Sequence, residues 1–97
     1  MVAGFAAAWA RPAVPADGWW QEVSRWCEAT FAELLRTVDP AAVPASRVTG
    51  DPVLQSGPTD GVAVLEVATD AGSLMVTVGV VDGRWLVTGN DFVRSVR

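Results

Sequence analysis

Two hydrophobic periods divide the chain. Between Trp19 and Val38, apolar or near-apolar residues recur at Trp19, Trp20, Val23, Trp26, Cys27, Thr30, Phe31, Leu34, Leu35 and Val38. Gln21, Glu22, Arg25, Glu28, Glu33 and Arg36 fall on the opposite side. Spacings of three and four residues sustained over about five turns mark an amphipathic helix. The pattern predicts one long helix over 17–38, N-capped by Asp17, whose carboxylate can accept from the free amides of the first turn. Asp39-Pro40 ends it, because the residue before proline is driven out of the α region. Asp39 is placed to cap one further turn through Val43, which Pro44 closes.

Past Pro44 the period falls to two and β-branched residues dominate. Ser46 to Leu54 reads as a first strand, kept to an edge by Gly50 and by Pro52, which has no amide hydrogen. Gln55 to Gly61 reads as a polar loop. Gly61–Thr69, Leu74–Val81 and Arg84–Phe92 read as three strands joined around Asp70-Ala71-Gly72 and at Asp82-Gly83. The second connection is a strong hairpin signal, since a type I′ turn needs positive φ at both positions. On these strands Val62, Val64, Glu66 and Ala68 share one face, and Ala63, Leu65 and Val67 the other. Leu74, Val76, Val78 and Val80 share a face, as do Trp85 and Val87. Both faces are partly apolar, so a helix covers one, and the N-terminal segment or a second protomer is left to cover part of the other. Upstream, Val2 to Ala10 favours a short helix with Phe5 and Trp9 on one side; Pro12 stops it, and residues 11–18 connect. The expected fold is a single α+β domain over 1–97, with a short helix at 1–10 and a long helix at 17–38 packed on a curved, mostly antiparallel four-stranded sheet at 46–93.

Composition narrows the function classes. At 97 residues, 51% hydrophobic and 19% charged, the chain suits one packed core. Its seven basic residues are all arginine and are scattered through a chain of net charge -4. Nucleic-acid binding calls for clustered positive charge, so no nucleic-acid partner is expected. Arg94 and Arg97 are the close pair, and they read as a solvated tail. No apolar run is long enough to span a membrane in the chain as given. The Ala-rich start lacks a charged leader and is broken by Arg11, Pro12 and Pro15, so it does not read as a signal peptide. The expected location is the cytoplasm, or the envelope where an N-terminal anchor has been removed.

Candidate chemistry is sparse. With no His and no Tyr, the usual general base, phenolic acid and metal ligand are missing, and no catalytic set, metal or cofactor is expected. Cys27, the single cysteine, reads as a small buried apolar group. No phosphate-binding glycine motif occurs. Glu66 is the charged residue within its strand; facing a pocket it becomes a desolvated acid, and facing solvent it is inert. Five tryptophans are many for this length. Trp19, Trp20, Trp26 and Trp85 serve either as core mass or as interface and ligand walls. Trp19 and Trp20 diverge by about 100° around a helix, which leaves one of them partly exposed.

A long helix against a meander ending in Gly83-Arg84-Trp85-Leu86-Val87 resembles the cystatin-like and nuclear-transport-factor-2-like α+β cone domains. Locally, Trp9-Ala10-Arg11-Pro12, Trp19-Trp20, Asp39-Pro40-Ala41-Ala42-Val43-Pro44-Ala45 and Arg47-Val48-Thr49-Gly50 look like a group of small actinobacterial proteins, some associated with mobile elements. The absence of lysine fits that resemblance. Cone domains include isomerases, dehydratases and the soluble parts of membrane-anchored assembly factors in conjugative secretion. The Tyr, His and Asp that line the enzymatic cones have no counterparts here. The tryptophan count and these missing side chains point to a non-catalytic binding or assembly module acting through self-association or partner docking, set in a conjugation or envelope-associated complex, with a small-molecule cone protein or a degenerate isomerase- or dehydratase-like enzyme using Glu66 as the alternative. The expected partners are a second copy of the chain or another protein.

Overall fold

A computed structural model describes residues 2–11 and 13–94. The helix stop assigned to Pro12 and the Arg97 half of the terminal arginine pair lie outside the described residues. In chain order the elements are α1 (Val2–Trp9), α2 (Ala16–Ser24), α3 (Ala29–Leu35), a 3-10 turn (Pro40–Ala42), β1 (Val53–Thr59), β2 (Val62–Ala68), β3 (Gly72–Val81) and β4 (Arg84–Arg94). The strands form one antiparallel sheet in the order β1-β2-β3-β4. The architecture is α+β, as expected.

The single long helix is not. It is broken between Ser24 and Ala29 into α2 and α3. At the break Cys27 lies beside Val87 of β4 as a parallel bridge. Val87 N–H donates to Trp26 O at 2.8 Å, and Glu28 N–H donates to Val87 O at 2.8 Å. An edge strand presents unpaired backbone groups, and here the helical chain opens to satisfy them. Glu28 then restarts the helix, its carboxylate accepting from Thr30 N–H and Phe31 N–H, each at 3.0 Å. Asp17 is not an N-cap: α2 begins at Ala16 behind Pro15, and Asp17 sits in the first turn. There its charge still favours the positive helix end. Asp39 does cap the 3-10 turn, accepting from Ala41 N–H at 3.0 Å.

The sheet also begins later than expected. In place of a strand over Ser46–Leu54, only Val48 pairs, with Thr69, and the ladder resumes at Val53. Gly50 and Pro52 interrupt it, since proline cannot donate to the ladder. The stretch read as a loop over Gln55–Gly61 is instead the body of β1, which runs to Thr59. Asp60 (φ 52°) and Gly61 (φ 75°) form a turn of the same kind as Asp82 (φ 51°) and Gly83 (φ 77°). Register shifts at Leu54/Ser56 and Ser56/Thr59 roughen the β1 edge, a common guard against edge-to-edge pairing. Asp70 ties the preceding loop to the sheet, accepting from Ser46 N–H at 2.9 Å and Arg47 N–H at 3.3 Å.

One face of the sheet carries the core. Ala63, Val67, Leu74, Val76, Val78 and Val87 are buried against Phe5, Trp9, Trp19, Val23 and Leu35 from the helices. Trp19 Nε1 donates to Trp9 O at 2.9 Å, so α1 and α2 are joined by a hydrogen bond inside the apolar layer. Trp9 packs on Phe92 with ring centroids 5.6 Å apart.

This packing can be tested at two positions. A Cβ on Gly4 would stand 2.5 Å from Cζ2 of Trp26. Alanine adds up to about 1 kcal/mol of helix propensity, whereas forcing an extra carbon into a packed contact costs about 1–3 kcal/mol. Gly4→Ala should therefore lower stability, and a higher urea midpoint would refute the contact. Backbone hydrogen bonds, first from Ser46 and then from Arg47, hold the Asp70 carboxyl below its ordinary range. Its contribution is present above the ordinary carboxylate pKa and is lost as pH falls through the depressed value. Between about pH 5 and pH 2 the urea midpoint of Asp70→Asn should fall less steeply than that of the parent; parallel curves would show that Asp70 contributes nothing.

Candidate functional site

The strands are longer than the helical layer can cover. β3 and β4 have 10 and 11 residues, about 33–36 Å at 3.3 Å per residue, whereas α1, α2 and α3 have 8, 9 and 7, about 10–14 Å each. Toward the 82–83 and 60–61 turns the core face runs out from under the helices. Val80 is 47% exposed and Trp85 40%, while Val78 and Val87 one pair further along are buried.

An apolar groove of about 520 Å³ opens there. Val2 and Ala3 of α1 form one wall. Ala63 and Leu65 of β2, Val78 of β3 and Trp85 of β4 form the floor and far side, and Pro52 and Pro58 flank the β1 edge. Its volume lies within the range of about 300–1,000 Å³ typical of ligand sites. Its eight lining residues include no acid, base, hydroxyl or thiol side chain. It can desolvate apolar surface, and none of these eight side chains moves a proton or holds a metal. Among the described residues no cluster of three or more Cys, Asp or Glu stands in metal-binding proximity. Among the same residues, no helix is long and apolar enough to cross a membrane.

The structure disperses the five candidates read from the sequence. Trp85 alone lines the groove. Trp19 is core, 1% exposed. Trp20, half-buried as its divergence from Trp19 requires, donates from Nε1 to Ala32 O at 2.7 Å. Its ring also lies 3.8 Å from the Arg36 guanidinium carbon, and Arg36 pairs with Glu33 at 3.0 Å. Those contacts pin α2 to α3, and the cleft beside them is only about 80 Å³. Trp26 covers Gly4. Glu66 lies on the opposite face of the sheet from Ala63 and Leu65, accepting from Gln55 Nε2 at 2.9 Å.

The groove residues that sequence reasoning passes over are Val2, Ala3, Pro52 and Pro58. Small apolar residues and prolines carry no chemical signal, and they converge only through the tertiary fold. Comparison with protein-family models, with curated proteins and with solved structures finds no match for the chain. What the groove can hold is thus read from its own residues.

Cys27 lies outside the groove. Its thiol donates to Val23 O at 3.2 Å, and burial, helped by the neighbouring Glu28 charge, pushes its pKa up to about 12. At pH 8 the folded protein should react with iodoacetamide at least about a hundredfold more slowly than the urea-unfolded chain. Equal rates, followed by mass spectrometry, would show an exposed thiol.

Proposed function

We propose that this protein is a non-catalytic binding or assembly module that docks an apolar segment of a partner protein in the groove beside Trp85. The supporting observation is the set of apolar side chains lining that groove, with Trp85 left 40% exposed at its side. Exposed aromatic anchors in desolvated clefts contribute disproportionately to protein association, and rims of proline exclude water without adding unpaired donors. The setting we infer is an envelope-associated or conjugation complex. It rests on the resemblance of the Trp9–Pro12, Trp19-Trp20 and Asp39–Ala45 segments to small actinobacterial proteins associated with mobile elements.

The volume of the groove also favours a second reading, in which it takes a small apolar molecule. Glu66, on the other face of the sheet, is no part of that reading, so a tuned-acid enzyme has no support from the groove. Native mass spectrometry separates the two readings, since a retained small molecule adds mass to the monomer.

Peptides selected from a displayed library against the folded protein should be rich in aliphatic and aromatic residues. Ala3→Arg, which sets a charge at the groove wall, and Trp85→Ala should each weaken their binding about tenfold or more while leaving the circular dichroism spectrum unchanged. Selected peptides that bind both variants as tightly as the parent would remove the groove from the reading.

A further inference from the structure

The other face of the sheet is partly apolar, and among the described residues no helix packs on it. Alternation along the strands places Val62, Val64, Met75, Val81, Leu86 and Val93 there. Val62 is 46% exposed and Val93 56%. Three charged residues of the strands share this face, and they are segregated. Glu66 and Asp91 lie in one cross-strand row, on either side of Met75. Arg84 pairs with Val81 at the far end of β4, beside the hairpin turn. Among the described residues Arg84 makes no ion pair.

We infer that this face is the contact surface between two copies of the chain, stacked about a two-fold axis that crosses the strands. That axis lays each strand antiparallel over its own copy. Because β4 carries its positive charge at one end and its negative charge near the other, reversal brings Arg84 over Asp91 of the second copy, and symmetry repeats the pair. The same operation sets Met75 against Val81 and Val64 against Val62, so the apolar centre and the charged ends of β4 register together. A two-fold axis running along the strands would instead place β4 over β1, which has no charged residue within its span.

The size of the face sets the strength. Four strands about 4.8 Å apart and seven to eleven residues long present about 500 Å² in projection. Two such faces bury about 1,000 Å², near the lower limit for a specific contact, which implies a reversible dimer with a dissociation constant roughly micromolar or weaker. This surface lies on the opposite side of the sheet from the groove and stands independently of the groove reading.

Analytical ultracentrifugation from about 1 to 500 µM spans the range in which a contact of this size dissociates. The parent should shift from monomer to dimer across it. Arg84→Glu and Asp91→Arg should each remain monomeric, because each sets two pairs of like charges together. An equimolar mixture of these two variants should dimerise, since both cross-pairs are again opposite in sign. Ala3→Arg and Trp85→Ala, on the groove side, should dimerise like the parent. A parent that is monomeric at the highest concentration, single variants that dimerise normally, a mixture that does not, or groove variants that abolish dimerisation would each overturn the assignment.

Discussion

Two backbone hydrogen bonds at Val87 organise the rest of the molecule. Its amide donates to Trp26 and its carbonyl accepts from Glu28, so a helical segment and the edge of the sheet share one short parallel bridge. The Val87 groups being satisfied are buried, since that residue is fully inaccessible, and an unpaired backbone group in such a place costs about 1–3 kcal/mol. Interrupting a helix forfeits several internal bonds, but most of these are recovered. Trp26 and Cys27 close a turn onto Val23 and Ser24, and Glu28 caps α3. The interruption therefore joins the layers at little cost, and it fixes how much of the sheet the helices can shelter. An unbroken helix over 17–38 would be about 33 Å long, comparable with β3 and β4. Its two halves reach less than half as far, and the groove lies at the end left bare.

Why the break is hard to read from the residues follows from the same geometry. Trp19, Val23, Cys27, Phe31 and Leu35 keep a four-residue spacing straight through it, because both halves turn their apolar sides toward the same layer. Periodicity reports which side is buried and is blind to a bend that leaves that side unchanged. Glu28 gives no warning either, being an uncommon N-cap and equally at home on a polar helix face. The hairpin at Asp82-Gly83 is legible because its chemistry is local. Asp60-Gly61 carries the same signal, but Gly57 and Pro58 just before it make the whole stretch read as a loop. The edge strand survives those residues through two register shifts, a tertiary accommodation that strand propensity does not describe.

The tryptophans are legible as important and not as to role. Their number marks large apolar surfaces to be buried, but where each ring goes depends on contacts formed across the chain. Trp19 ends in the core and Trp20 under Arg36, neighbours in sequence and about 100° apart on α2. Trp85 becomes a groove wall only because Val2 and Ala3 arrive opposite it.

The fold leaves a large surface for its mass. Its extents are 35 × 33 × 17 Å, a plate rather than a sphere. A compact protein of 10.2 kDa is expected to expose about 5,300 Å², and this one exposes 5721 Å². A two-layer plate has one inner face for each layer and two outer ones. The outer side of the helical layer is charged, with Glu22, Arg25, Glu33 and Arg36 all exposed. The outer side of the sheet mixes valines, a methionine and a leucine with Glu66, Asp91 and Arg84, and it is left open among the described residues. Among the described residues, the helices pack on the opposite face, α2 and α3 through the bridge at Val87 and α1 through Trp9 and Trp19. In the reversed second copy inferred above, Arg84 at one end of β4 meets Asp91 near the other, which is the complementary arrangement of charge along that strand.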